Sequence, residues 1–275
     1  MTDATCLCVF CNAPIADDAP PEHVLPKWLR RLRPKHGRFQ EPRAVVIDGE
    51  PPTPIPAMPR ANSKTPVLTT DVVCEDCNHH WLSDLESRAS PLLRPMILGN
   101  ARSLDVEEQA FVALWGVKTE LLWQTTPTSF RASRLSDYRH LRTHRTPPPH
   151  TWVRLGRYLG TAFVAFADCN LAHLDDASTP SGVRLKPDSV VGPIGHWAIL
   201  RVGQLVFEII CTDDGKWPIQ VADPNLSGKS MVDVWPSFTG RYWPPPIPFD
   251  DDAFFKVSHM RPDQLPDLGP AMPLT

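Results

Sequence analysis

Three short stretches decide how the first part of the chain is read: Cys8-Val9-Phe10-Cys11, then Glu22-His23-Val24-Leu25-Pro26-Lys27-Trp28-Leu29, then Cys74-Glu75-Asp76-Cys77-Asn78. A Cys-x-x-Cys knuckle turns the backbone so that both thiolates meet one ion. Two such knuckles supply the four soft sulfurs that tetrahedral zinc prefers. Cys6 stands two residues before Cys8 and is a rival ligand. Cys8 is preferred because its spacing to Cys11 repeats that of Cys74 to Cys77. Between the knuckles, Glu22 offers a hard carboxylate and His23 a base that titrates near neutral pH. Asn78, directly after the last cysteine, offers a hard oxygen. Hard oxygens suit magnesium or manganese rather than zinc.

The order Cys-x-x-Cys, acid-His, Cys-x-x-Cys-Asn resembles the HNH (His-Me finger) endonuclease family, and most of all its zinc-containing branch with Glu-His-x-x-Pro-x-Trp-Leu and Cys-Asn-x-x-Trp. The resemblance covers about the first ninety residues. It implies a treble-clef-like ββα-metal module in which a structural Zn2+ on Cys8, Cys11, Cys74 and Cys77 ties a hairpin to a helix. It also implies that His23 is the general base, and that Glu22 and Asn78 hold a catalytic Mg2+ or Mn2+. The implied activity is hydrolysis of nucleic-acid phosphodiesters, DNA ahead of RNA. Two departures stand out. The acid is Glu where Asp is commoner. Thr69 or Thr70 occupies the place of the family's middle Asn, so a threonine hydroxyl or Asn62 would have to brace the loop under the histidine.

The remaining composition is that of a globular protein: 275 residues, 42% hydrophobic and 21% charged, net charge −3. Seven cysteines, four of them in knuckles, fit a reducing compartment and a metal better than a disulfide frame. Neither a leader peptide nor an apolar run of spanning length is seen, so the expectation is a cytoplasmic protein without membrane contact. Thirty-two prolines predict long irregular connections. The mild net charge argues against a surface devoted wholly to nucleic acid. Basic residues are nevertheless concentrated after Glu22-His23. Lys27, Arg30, Arg31 and Arg33 are candidate phosphate contacts, or else a solvated charged face. A second basic run holds Arg131, Arg134, Arg139, Arg142 and Arg145.

Val24, Leu25, Trp28, Leu29 and Leu32 recur at helical spacing, and with the pattern of the family resembled this implies a short strand through Glu22-His23 that turns helical after Pro26. Val67 to Val73 reads as a strand into the second knuckle, and a helix follows from near Cys77. Pro34 to Pro66 reads as an inserted loop containing a short strand at Val45-Val46-Ile47. Asp105 to Trp123 reads as a helix with Asp105 and Glu108 forming a capping box, its role being packing. Thr161–Ala167, Trp197–Val202, Leu205–Cys211 and Val232–Trp235 read as strands, with a hairpin turn at Gly203. His79 and His80 are candidate extra ligands or ordinary helix-surface residues, and Cys169 and Cys211 read as inert core thiols. The fold class is α+β. The resemblance implies that residues 1–100 form a zinc-bound HNH unit. Residues 101–275 form an α+β domain with a long helix and antiparallel strands, whose expected role is substrate recognition, a protein partner or regulation. The alternative to an enzyme is a zinc module that binds nucleic acid or protein without cutting.

Overall fold

The computed structural model describes residues 6–32, 43–45, 53–55, 69–126, 134–160, 163–174, 190–212, 229–251 and 253–254. Helix and sheet are mixed, as expected of an α+β chain. Residues 33–42, which include Arg33, and residues 56–68, which include Asn62, lie outside the described residues, as do Val46, Ile47 and Arg131.

A short strand β1 (Glu22–His23) pairs antiparallel with β4 (Thr69–Thr70). Two further strands, β2 (Arg43–Val45) and β3 (Thr53–Ile55), pair with each other inside the insert. After Pro26 the chain makes a 3-10 helix, Lys27–Arg31, shorter than the apolar spacing suggested. Strand β4 is likewise only two residues long, followed by bends into the second knuckle. One helical run then starts at Cys74: α1 (Glu75–Cys77), a π turn (Asn78–Leu82) and α2 (Ser83–Ile97). Pro91 and Pro95 lie inside α2, where each lacks the N–H that a helix interior normally uses.

Beyond α2, β5 (Arg102–Leu104) leads into the long helix α3 (Val106–Gln124). The predicted capping box is formed. Glu108 N–H donates to Asp105 Oδ1 at 2.8 Å and Asp105 N–H donates to Glu108 Oε2 at 3.1 Å. Helix α4 (Leu135–His144) follows. A five-stranded antiparallel sheet follows, with β6 (Thr151–Arg157), β7 (Val164–Leu174), β8 (Val190–Val202), β9 (Leu205–Thr212) and β10 (Met231–Trp235) in the order β10-β6-β9-β8-β7. A short strand β11 (Arg241–Trp243) pairs with β5.

Period-two alternation sorts the sheet's two faces. Val153, Leu155, Ala198, Leu200, Phe207 and Ile209 belong to one apolar cluster with α2 and α3. Ile199, Val206 and Ile210 belong to a second, with Tyr158, Phe249 and Phe254. Gly116 lets α3 press onto the sheet, since a Cβ there would sit 2.6 Å from the Phe207 ring. At the β8–β9 turn Gly203 has φ +57 and a Cβ there would meet Ile97 O at 2.5 Å, so the hairpin end docks on the C-terminus of α2. The larger cluster runs without a break from Cys8 and Phe10 through Trp81, Leu93, Trp115 and Leu122 to Phe207, so residues on both sides of residue 100 share one core.

Candidate metal centre and its surroundings

The first knuckle is a tight turn. Asn12 N–H donates to Cys8 O at 2.8 Å, and Asn12 takes a left-handed conformation with φ 64. That conformation suits a residue whose short polar side chain tolerates it. In the second knuckle Cys74 precedes α1, and Asn78 N–H donates back to Cys74 O at 3.0 Å. A bond from Val9 N–H to Val72 O, 3.0 Å, joins the two knuckles. The outcome is that the sulfurs of Cys8, Cys11, Cys74 and Cys77 all lie within 4.8 Å of one another. A tetrahedral zinc with bonds of about 2.3 Å needs sulfurs about 3.8 Å apart, and Cys11 and Cys74 are 3.5 Å apart. The four cysteines can therefore hold a metal such as zinc. Cys6 is exposed and outside this set.

The thiols divide: Cys8 is shifted toward the ligating thiolate, Cys74 and Cys77 away from it. Contact with the Cys77 thiol, which outweighs burial, pulls Cys8 down to about 4. Cys77 is driven upward by the same contact and by burial, and Cys74 is driven upward chiefly by burial. A cation at the centre replaces these shared protons with four sulfur bonds.

Glu22 and His23 lie on β1, with Thr70 and Thr69 as their respective partners across the ladder. The threonines thus stand opposite the acid and the histidine. Thr125 Oγ1, just past α3, bonds Thr70 Oγ1 at 2.8 Å. Asn78 opens the π turn and its side-chain N–H donates to Pro20 O at 3.4 Å, which ties it to the segment entering β1. Lys27 and Arg31 are exposed on the 3-10 helix. Arg30 lies in the same helix, with its side chain outside the described residues. His79 and His80 are exposed and face Glu75 at 3.4 Å and Asp76 at 3.1 Å one turn earlier, the geometry of a helix surface.

Glu22 departs from the expectation of an open ligand, being only 8% exposed. Burial pushes its carboxyl above the usual range, the Lys118 ammonium pulls in the opposite direction, and Glu86 adds to the rise. Lys118 itself is fully buried on α3 and ion-pairs with Glu86 of α2. The Glu86 carboxylate also accepts from Trp28 Nε1 at 3.1 Å and from Trp115 Nε1 at 3.0 Å. Sequence reasoning missed both Lys118 and Glu86. The one available signal was a lysine set within the apolar run of α3, followed directly by Thr119 and Glu120.

Helix α4 was also missed, and it packs on the knuckles. Tyr138 meets Phe10 edge-on with centroids 5.6 Å apart, and Arg139 donates to Asn12 Oδ1 at 3.1 Å. Arg142 reaches Asp76 at 3.9 Å, and Arg145 lies over the Trp81 ring at 4.6 Å. Part of the second basic run is therefore engaged with the knuckles. On the other side of α3, Glu120 faces His196 of β8 at 3.4 Å with both side chains buried. Cys211 is buried as expected, whereas the side chain of Cys169 lies outside the described residues.

No protein-family model, curated protein or solved structure matches the chain. Among the described residues, no helix is long and apolar enough to cross a membrane.

Proposed function

We propose that the chain is a metal-dependent HNH-type endonuclease acting on DNA, built around a structural zinc on Cys8, Cys11, Cys74 and Cys77 in a treble-clef-like ββα unit. The observation that carries this reading is the sharing of one small frame. The four sulfurs converge, the β1–β4 pair bearing Glu22-His23 leads into one knuckle, and Asn78 starts the turn after it. His23 takes a proton from water, which attacks the scissile phosphorus. Glu22 and Asn78 would hold a Mg2+ or Mn2+, whose chemistry is to neutralise charge on the phosphate and the leaving oxygen. Lys27 and Arg31, both exposed beside β1, suit contacts to the phosphate backbone.

The burial of Glu22 favours a second reading, a zinc module that binds nucleic acid without cutting it. Incubating plasmid DNA with the zinc-loaded protein and magnesium or manganese, with and without chelator, separates the two. Chelator-sensitive cleavage that falls about 10²–10⁴-fold in His23→Ala supports the enzyme. Binding without cleavage of DNA or RNA under any divalent ion supports the module.

A further inference from the structure

Helix α4 and its two caps carry four arginines, Arg134, Arg139, Arg142 and Arg145, against one acid, Asp137, in a chain whose net charge is −3. The last three stand three residues apart, on one inclined row of the helix surface. Each meets the knuckle region. Arg139 donates to Asn12 Oδ1 at 3.1 Å beside the first knuckle, and Arg142 reaches Asp76 at 3.9 Å inside the second. The Arg145 guanidinium lies 4.6 Å from the centre of the Trp81 ring, on the π turn that follows. Arg139 and Arg145 are exposed all the same, and Arg142 is half-buried. Among the described residues Arg142 alone of the three is ion-paired. An amide oxygen and an indole face orient the other two guanidinium groups without neutralising them. The acids beside the row have partners of their own, Glu75 facing His79 at 3.4 Å and Asp76 facing His80 at 3.1 Å. Asp76 lies two residues before Asn78, so the row runs up to the segment that carries the candidate site.

Resting on the endonuclease reading above, we propose that this row is a contact surface for the substrate, taking the phosphate backbone of duplex DNA beside the proposed site. Charge complementarity selects the partner. A line of guanidinium groups on a weakly acidic chain suits a polyanion, and each planar fork fits the oxygens of a phosphate. The six residues from Arg139 to Arg145 rise about 9 Å along a helix. That is the span of roughly two to three phosphates of one strand, at about 3.4 Å of duplex axis each. Contacts of this kind fix position and orientation on the duplex and carry no base sequence. The surface lies outside the N-terminal motif, and it is placed by the same two knuckles that would hold the zinc.

The test uses the full-length, zinc-loaded chain and short DNA duplexes of unrelated sequence, with magnesium and manganese left out so that binding is read apart from cleavage. Fluorescence anisotropy at several salt concentrations gives the slope of log K against log salt. Arg139→Gln and Arg145→Gln should each flatten that slope by about one and weaken binding equally on every duplex. Arg139→Gln keeps an N–H for Asn12, so the knuckle contact can persist while the charge is lost. Arg88→Gln removes an exposed arginine of α2 that faces Glu107 at 3.8 Å, and it should leave the slope unchanged. Equal flattening by Arg88→Gln would make the effect one of net charge and overturn the proposal. Should Arg145→Gln lose zinc because that side chain lies over Trp81, Arg139→Gln carries the test alone. A zinc-loaded Arg139→Gln with the wild-type slope and affinity overturns the proposal and leaves the row as a brace for the knuckles. A wild type that binds poly-glutamate but not DNA overturns it too, in favour of an acidic protein partner. DNA bound with the expected slopes by a chain that cuts nothing with either metal upholds the surface and overturns the endonuclease reading alone.

Discussion

Cys77 is fully buried at the end of α1, and replacing it with serine leaves three sulfurs and a hydroxyl that zinc holds less well. Cys77→Ser should lose the metal on dialysis and unfold at lower temperature, because a structural zinc contributes folding energy directly. Elemental analysis beside a thermal melt checks this, and one retained zinc per chain would sink the assignment. Glu86 makes a separate point. Glu86→Ala leaves Lys118 buried without its partner and removes the acceptor of two indoles, so a loss of about 3–5 kcal/mol is expected in urea unfolding. The four converging cysteines were legible in the sequence because their paired spacing is the one metal coordination requires. Glu86 and Lys118 were not, since each reads alone as a solvated helix residue and their pairing depends on how α2 crosses α3.

At the scale of elements, α3 was foreseen in extent and cap because its apolar repeats and the Asp105–Glu108 box are local signals. Its chemistry was not, and the expectation of pure packing missed a helix that sends Lys118 toward Glu86 and Glu120 toward His196 on another side. Gly116→Ala should cost about 1–3 kcal/mol, since the added methyl meets the buried Phe207 ring and has nowhere to go. A denaturant midpoint unchanged by that substitution would mean that helix and sheet can slide apart. Helix α4 escaped notice because only Tyr138 and Leu141 of its ten residues are buried. It is held on α3 by the bond from Tyr138 Oη to Leu121 O and on the knuckles through Phe10, Asn12, Asp76 and Trp81. Removing zinc by chelation should therefore raise amide exchange in α4 well before it does so in β8 and β9, whose ladder is independent of the cysteines. Equal protection of α4 with and without zinc would contradict that coupling.

At the scale of the whole molecule, the helix pattern of 105–123 and the strand patterns after it gave the mixed class and turn chemistry gave the β8–β9 hairpin, but strand order and β6 depend on long-range pairing that no local pattern reports. A division near residue 100 was expected from the change in sequence character. The turn after α2 does fall there, and yet the apolar cluster and the Glu86–Lys118 pair both cross it. The central claim is that His23 acts as base while Glu22 and Asn78 hold the ion. The most direct measurement is cleavage rate against manganese concentration for wild type, His23→Ala, Glu22→Ala and Asn78→Ala, each shown to carry one zinc. The account predicts that rising manganese restores much of the rate to Glu22→Ala and Asn78→Ala and none to His23→Ala. Cleavage by His23→Ala at the wild-type rate would contradict it.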